Sequence, residues 1–202
     1  MKALIDHARS FHQHAAQREQ LAPLATGQSP EALFITCSDS RVVPSLFTGA
    51  RPGELFELRT AGNIVPDHRS EQPTSEAATI EYAVEVLGVA DVVVCGHSHC
   101  GAVGALVRGE DLTAVPAVSG WLKHAAGQPT AFKGSQGADA LGPDIAEAVQ
   151  VHVLVQLDRL RAYPCIARRL EEGRLRLHGW FYEVHTGAVL AHRQPSDAFV
   201  PL

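Results

Sequence analysis

The sequence predicts an α/β fold in which a single domain is built on a central, mainly parallel β-sheet flanked by helices. Its length of 202 residues suits one domain with a sizeable core. A strand-helix-strand pattern covers residues 54–95, and such a unit forms a right-handed parallel crossover. Residues 175–182 alternate in polarity and are followed by a Thr186-Gly187 turn and a partner at 188–192, which predicts a C-terminal hairpin of strands.

The N-terminal segment is predicted to be a helical arm. Residues 3–25 carry apolar side chains at loose helical spacing and a polar opposite face, so this amphipathic helix has to pack on its own domain or on a partner subunit. The turn residues from Gly27 to Pro30 end it. We therefore treat residues 1–202 as one domain and residues 1–27 as an arm that is expected to pack on a partner.

The remaining elements follow from apolar periodicity and from turn residues. The run 32–37 predicts a buried strand, and Thr74 or Ser75 is expected to cap a helix that stops at Gly88. The other predicted elements, in order, are a short helix at 45–47, strands at 54–59 and 91–95, a helix from 101, a loop at 127–142, and helices at 143–161 and 164–172.

Composition excludes several classes of protein. The net charge of −5 and the absence of basic blocks give no electrostatic reason to expect nucleic acid as a partner, and no apolar run is long enough to span a membrane. The N-terminus has no signal-peptide pattern, so we expect a cytoplasmic protein. In a reducing compartment, metal ligation or burial explains the four cysteines better than disulfides do.

Two short motifs with metal-binding side chains lie at the carboxyl ends of predicted strands. Cys37 ends the strand 32–37, while His97 and Cys100 follow the strand 91–95 at a spacing that lets both face one side of a turn. Ligand sites in open α/β sheets lie outside the carboxyl ends of the strands. Two thiolates and one imidazole form a zinc set that leaves a fourth position for water. Either motif alone is weak, because free cysteines are often simply buried. We leave Cys95 and His99 as structural residues.

Asp39 and Arg41 are two residues apart and can form an ion pair. On an ordinary surface such a pair contributes little energy. Beside a metal, Arg41 would keep the carboxylate of Asp39 ionised and turned away from the ion. Asp39 would then accept the proton of zinc-bound hydroxide and orient its attack.

The two motifs and the segments around them resemble the β-class carbonic anhydrases. CSDSR at 37–41 and HSHCG at 97–101 match the two signature segments of that family, and the similarity continues through 53–66, 78–102 and 175–189. The resemblance implies Cys37, His97 and Cys100 as the zinc ligands, and Asp39 with Arg41 as the catalytic pair beside them.

Within this family the chain is similar to the plant-type branch. The resemblance implies substrate-binding roles for Gln28, Phe56, Tyr82 and Gly101. Without it, core packing would be the simpler interpretation of Phe56 and Tyr82. The other branch has Trp at the position of Phe34, so its regulation by bicarbonate at a separate site is not expected here.

The implied function is the zinc-dependent, reversible hydration of carbon dioxide to bicarbonate and a proton, with zinc-bound hydroxide as the nucleophile. Phe34 is a further candidate for the apolar pocket. A homodimer or tetramer is expected, with the arm on the partner. Two alternatives stay open: a COS or CS2 hydrolase on the same scaffold, and a non-catalytic zinc-binding protein with Asp39 as a permanent fourth ligand.

Overall fold

The fold is organised around one six-stranded sheet, seen in a computed structural model that describes residues 1–14, 19–68, 73–125, 143–194 and 196–202. The order of its strands across the sheet is β2-β1-β3-β4-β5-β6. The strands are β1 (Ala32–Cys37), β2 (Leu55–Thr60), β3 (Asp91–His97), β4 (Arg176–Tyr182), β5 (Val189–Arg193) and β6 (Ala198–Pro201).

Helices cover both faces of this sheet. The α-helices are α1 (Lys2–Ser10), α2 (Pro44–Thr48), α3 (Ser75–Glu81), α4 (Gly101–Arg108), α5 (Pro116–Leu122), α6 (Pro143–Arg161) and α7 (Pro164–Glu171). Short 3-10 turns lie at Phe11–Gln13, Ala22–Thr26 and Ala61–Asn63, and a π-helical turn, Tyr82–Val86, extends α3. No helix in the described ranges is long and apolar enough to cross a membrane.

The sheet is mainly parallel, as predicted. The pairs β1–β2, β1–β3 and β3–β4 are parallel, and the C-terminal pairs β4–β5 and β5–β6 are antiparallel. The predicted hairpin is therefore confirmed, and β6 adds an edge strand that the sequence did not suggest. The side chain of Thr74 accepts a hydrogen bond from the backbone N–H of Ala77, which identifies Thr74 as the residue that caps α3.

The predicted ends of strand β3 and of the N-terminal helix are wrong. Strand β3 continues to His97 instead of ending at 95, because Gly96 and His97 still pair with β4. The expected helix over 3–25 is interrupted: α1 ends at Ser10, and the extended backbone of His14 closes the 3-10 turn that follows. The predicted loop at 127–142 lies outside the described residues, and helix α5 had not been predicted.

The core divides between the two faces of the sheet. On one face, Leu33 and Ile35 of β1 pack in a cluster that includes Val153 and Leu157 of α6. On the other face, Phe34 packs with aromatic neighbours from α2 and β4. Side chains alternate along a strand, so Cys37 shares the α6 face with Leu33 and Ile35.

Close packing of α6 on β3 depends on Gly96. A Cβ atom at this position would lie 2.5 Å from Cγ1 of Val149 and 2.8 Å from Cγ2 of Val153. We expect Gly96→Ala to lower the free energy of unfolding by about 1–3 kcal/mol, because overpacking forces the helix away from the sheet. Urea denaturation measures this change. Gly120→Ala is the control, since no atom lies within 4 Å of its added Cβ; equal losses in both variants would contradict the packing argument.

Candidate metal centre

Three buried side chains meet where β1 and β3 end. Cys37 is the last residue of β1, His97 is the last residue of the neighbouring parallel strand β3, and Cys100 precedes α4. One ligand atom from each residue lies within 4.8 Å of the others. Among the described residues this is the one cluster of three His, Cys, Asp or Glu side chains with metal-binding geometry.

The chain turns sharply between His97 and Cys100. His99 adopts a left-handed backbone conformation, with φ of 57°, and its side chain is exposed. This turn brings Cys100 back beside His97 while His99 stays outside the cluster. The backbone N–H of Ser98 donates to the carbonyl of Tyr182 on β4, which fixes where the turn begins.

The imidazole of His97 is oriented for ligation. Its Nδ1 lies 2.9 Å from the carbonyl oxygen of Ser98, and because a carbonyl only accepts, Nδ1 carries the proton. Nε2 therefore presents a lone pair. This atom is buried and has no hydrogen-bond partner among the described residues. A cation held by the two sulfurs would satisfy it, so the donor set fits a metal ion.

A hydrogen bond between the thiols of Cys37 and Cys100 stabilises one negative charge on the pair. The pKa of the Cys37 thiol lies well below its usual range, chiefly because the Cys100 thiol donates a hydrogen bond to its sulfur, with a smaller contribution from the backbone N–H of Gly62. The same hydrogen bond, together with burial, raises the pKa of Cys100. A cation bound to both sulfurs would remove the difference between the two pKa shifts, because each coordinating thiol loses its proton.

Arg41 holds the carboxylate of Asp39 beside this cluster. Its Nε lies 2.9 Å from Oδ1 and its Nη2 lies 2.7 Å from Oδ2, which is a bidentate pair. These hydrogen bonds hold the pKa of Asp39 well below its usual range. Oδ2 is also 3.9 Å from Nε2 of His97. The carboxylate thus lies next to the three ligands while both of its oxygens face Arg41.

A second arginine, Arg59 on β2, fixes the backbone of the loop that follows β1. Its guanidinium donates to the carbonyl oxygens of Cys37 at 2.8 Å, Asp39 at 2.9 Å and Val42 at 2.7 Å. Sequence reasoning missed this residue. The available signal was its position at the end of β2, where the parallel register places it beside Thr36.

The predicted substrate-binding residues do not all gather at this centre within one chain. Gly101 begins α4 directly after Cys100. Phe56 lies beside Leu33, four residues before the pairing of Thr60 with Cys37, and its ring is 6.0 Å from that of Tyr82. Gln28 is exposed in a groove between the arm and residues 51–54. Gln28, Phe56 and Tyr82 thus lie toward the other end of the strands.

Phe34 is a correction to the sequence analysis. It is 1% exposed and lies on the face of the sheet opposite to Cys37, where its ring packs against Phe47 and Trp180. Because alternate residues of a strand point to opposite faces, a residue three positions before Cys37 cannot share its side. Phe34 is therefore a core residue and does not line a pocket at the metal centre.

Comparison with known proteins gives a consistent result. A family model described as carbonic anhydrase matches residues 32–189. A carbonic anhydrase of Pseudomonas aeruginosa is 47% identical over 207 residues, which cover all of this chain and 92% of that protein.

Two solved structures extend the similarity to the fold. The β-carbonic anhydrase CcaA superposes with a TM-score of 0.91 at 39% identity, covering 100% of this chain and 99% of that one. A β-carbonic anhydrase of Sordaria macrospora, described as tetrameric, has a TM-score of 0.74 at 30% identity, with 94% of each chain covered.

The role of Arg59 can be tested by stability. We expect Arg59→Gln to lower the free energy of unfolding by about 1.5–3 kcal/mol, because three carbonyls lose a charged donor. Urea denaturation provides the measurement. Arg51→Gln is the matched control: Arg51 forms an exposed ion pair with Glu54 and should cost less than about 1 kcal/mol. Similar losses in the two variants would show that Arg59 does not hold the loop.

Proposed function

The chain belongs to the β-class carbonic anhydrase family, whose reaction is the hydration of carbon dioxide, and from this premise we propose that it is a zinc enzyme with its active centre at Cys37, His97 and Cys100. The observation that carries the proposal is the convergence of these three ligands beside the Asp39–Arg41 pair. Catalytic zinc sites keep three protein ligands and one open position, which matches this set.

Zinc bound here would supply hydroxide at neutral pH, since the metal lowers the pKa of a bound water from 15.7 to about 7 in a well-studied case. The protein residues supply orientation. Asp39 stays ionised because Arg41 donates to both of its oxygens, so it remains an acceptor at neutral pH. A further lone pair of this carboxylate would accept a hydrogen bond from the nucleophile and orient it toward carbon dioxide.

The same ion pair argues against a purely structural zinc site. A permanent fourth ligand from Asp39 would require an oxygen that is free to turn toward the three ligands. Arg41 instead holds both oxygens, and its Nη2 also donates to the carbonyl of His99 at 3.1 Å, which anchors the guanidinium beside the turn. This anchoring favours the catalytic arrangement.

We assign Gln28, Phe56, Tyr82 and Gly101 to substrate binding, with the first three acting across a subunit interface. Their distance from Cys37 along the strands supports this division, since a centre built from one chain would lack them. Tyr82 is 45% exposed, which leaves its ring available to a second copy.

A homodimer or tetramer is the proposed assembly. No residue of α1 is buried, and the arm exposes Leu4, Ile5 and Phe11. Apolar side chains on an amphipathic helix become buried when a partner covers them. A relative from Sordaria macrospora is described as tetrameric.

We also propose a cytoplasmic location, because two thiol ligands and two further free cysteines suit a reducing compartment.

Carbon dioxide hydration can be tested directly. We expect the zinc-loaded protein to hydrate carbon dioxide in a stopped-flow assay with a pH indicator. Asp39→Asn should lower kcat by about 100-fold, because an amide cannot keep the bidentate pair with Arg41 and the nucleophile then loses its orientation. Asp158→Asn, which changes an exposed carboxylate on α6, is the control and should keep full activity. A wild type with no rate above buffer between pH 7 and 9 would contradict carbon dioxide hydration and favour COS or CS2 hydrolysis or non-catalytic zinc binding.

The arm can be tested by the state of assembly. We expect the double change Leu4→Asp and Ile5→Asp to shift the protein toward monomers and to reduce its activity, because both side chains lose their apolar partner surface. Sedimentation velocity measures the assembly, and Lys2→Asp is the control that adds an acidic residue next to the same helix face. A monomeric variant that keeps full activity would refute the shared site.

A further inference from the structure

The short turn Ala61–Asn63 connects the metal centre to two side chains that do not belong to the ligand set. The peptide group between Ala61 and Gly62 has a hydrogen bond at each end. Its N–H donates to Sγ of Cys37 at 3.3 Å. Its carbonyl oxygen, on Ala61, accepts from the indole Nε1 of Trp121 at 2.8 Å. One rigid peptide plane therefore links Trp121 to the sulfur of Cys37.

The next peptide group is held from the opposite side by His152 of α6. Nε2 of His152 lies 2.8 Å from the carbonyl oxygen of Gly62 and is fully buried. Gln156 accepts the backbone N–H of Val65 with Oε1 at 2.8 Å, so its amide nitrogen faces Nδ1 of His152 at 3.5 Å. Nδ1 is consequently the acceptor and Nε2 the donor, and the imidazole is held in one tautomer.

Gly62 cannot move away from this arrangement. Its φ of +76° is left-handed, and a Cβ would lie 2.9 Å from Cβ of Ala102 at the start of α4. The N–H that points at Cys37 is therefore fixed by close packing on one side and by Trp121 and His152 on the others. Burial lowers the pKa of His152 to about 4, so the ring stays neutral and keeps this pattern of donor and acceptor.

We propose that Trp121 and His152 are positioning residues for the metal ligand Cys37, which act by holding the two peptide groups that flank Gly62. This inference rests on the proposed zinc centre. A hydrogen bond to a peptide carbonyl polarises that peptide and strengthens its N–H as a donor. The hydrogen bond from Trp121 thus increases the partial positive charge on the N–H of Gly62, which faces the sulfur of Cys37. His152 fixes the direction of this N–H. Residues that orient metal ligands from outside the set change metal affinity by about 10–100-fold when they are replaced.

The experiment uses the protein with cobalt(II) in place of zinc, which needs no assay of carbon dioxide. The variants are Trp121→Phe, which removes the indole donor, and His152→Leu, which removes the imidazole donor. Each should weaken cobalt binding about tenfold in competition with a chromophoric chelator. Each should also shift the sulfur-to-cobalt charge-transfer band to longer wavelength, because a thiolate with a weaker hydrogen bond is more easily oxidised.

Two further variants separate positioning from folding. His152→Gln keeps a donor at the place of Nε2 and should restore the band and most of the affinity. Trp180→Phe makes the same substitution as Trp121→Phe on the opposite face of the sheet and should leave both readouts unchanged. Should His152→Leu fail to fold, Trp121→Phe still decides the outcome.

The possible failures are distinguishable. Wild type that binds no cobalt or zinc at all would overturn the proposed metal centre. Wild type that binds cobalt, with an unchanged band and affinity in Trp121→Phe and His152→Leu, would overturn this inference alone, even if both variants were less stable. A shift of equal size in Trp180→Phe would also overturn it, because the effect would then be general to the core.

Discussion

The constraint on which this structure depends is the placement of a negatively charged sulfur in a buried position. Removing a charge from water costs several kcal/mol unless hydrogen bonds or an opposite charge compensate it. At Cys37 the compensation comes from the thiol of Cys100 and from the N–H of Gly62. A divalent cation held by Cys37, His97 and Cys100 would complete it. The turn at Gly62, the tight turn before α4 and the ends of β1 and β3 all serve this arrangement.

Two arginines near this centre have different tasks, and their partners explain why. Arg41 binds a carboxylate with its planar fork, which sets the charge and the direction of Asp39. Arg59 binds three backbone carbonyls, which sets the path of the chain that carries Asp39. In the proposed site, the first interaction would control the charge of the catalytic carboxylate, and the second controls the path of the loop.

The parallel sheet divides the molecule into two ends with different roles. The carboxyl ends of β1 and β3 carry the candidate metal ligands. At the opposite ends, Asp91 pairs with Arg176 and His178, and these contacts join β3 to β4. Phe56 also lies toward that end. The proposed active centre includes Phe56 and would therefore need a second copy of the chain, which agrees with the exposed apolar side chains of α1.

The sequence by itself determined the fold class, the boundaries of β1 and α6, and the candidate ligands, because apolar periodicity and turn residues report local structure and the two motifs follow strands. It could not determine the extension of β3 to His97, the break in the N-terminal helix, or the position of Phe34, since these depend on pairing and packing between distant segments. Only the tertiary structure decided that Arg59, Trp121 and His152 surround the centre. Their hydrogen bonds go to backbone atoms, which leave no pattern of side chains in the sequence.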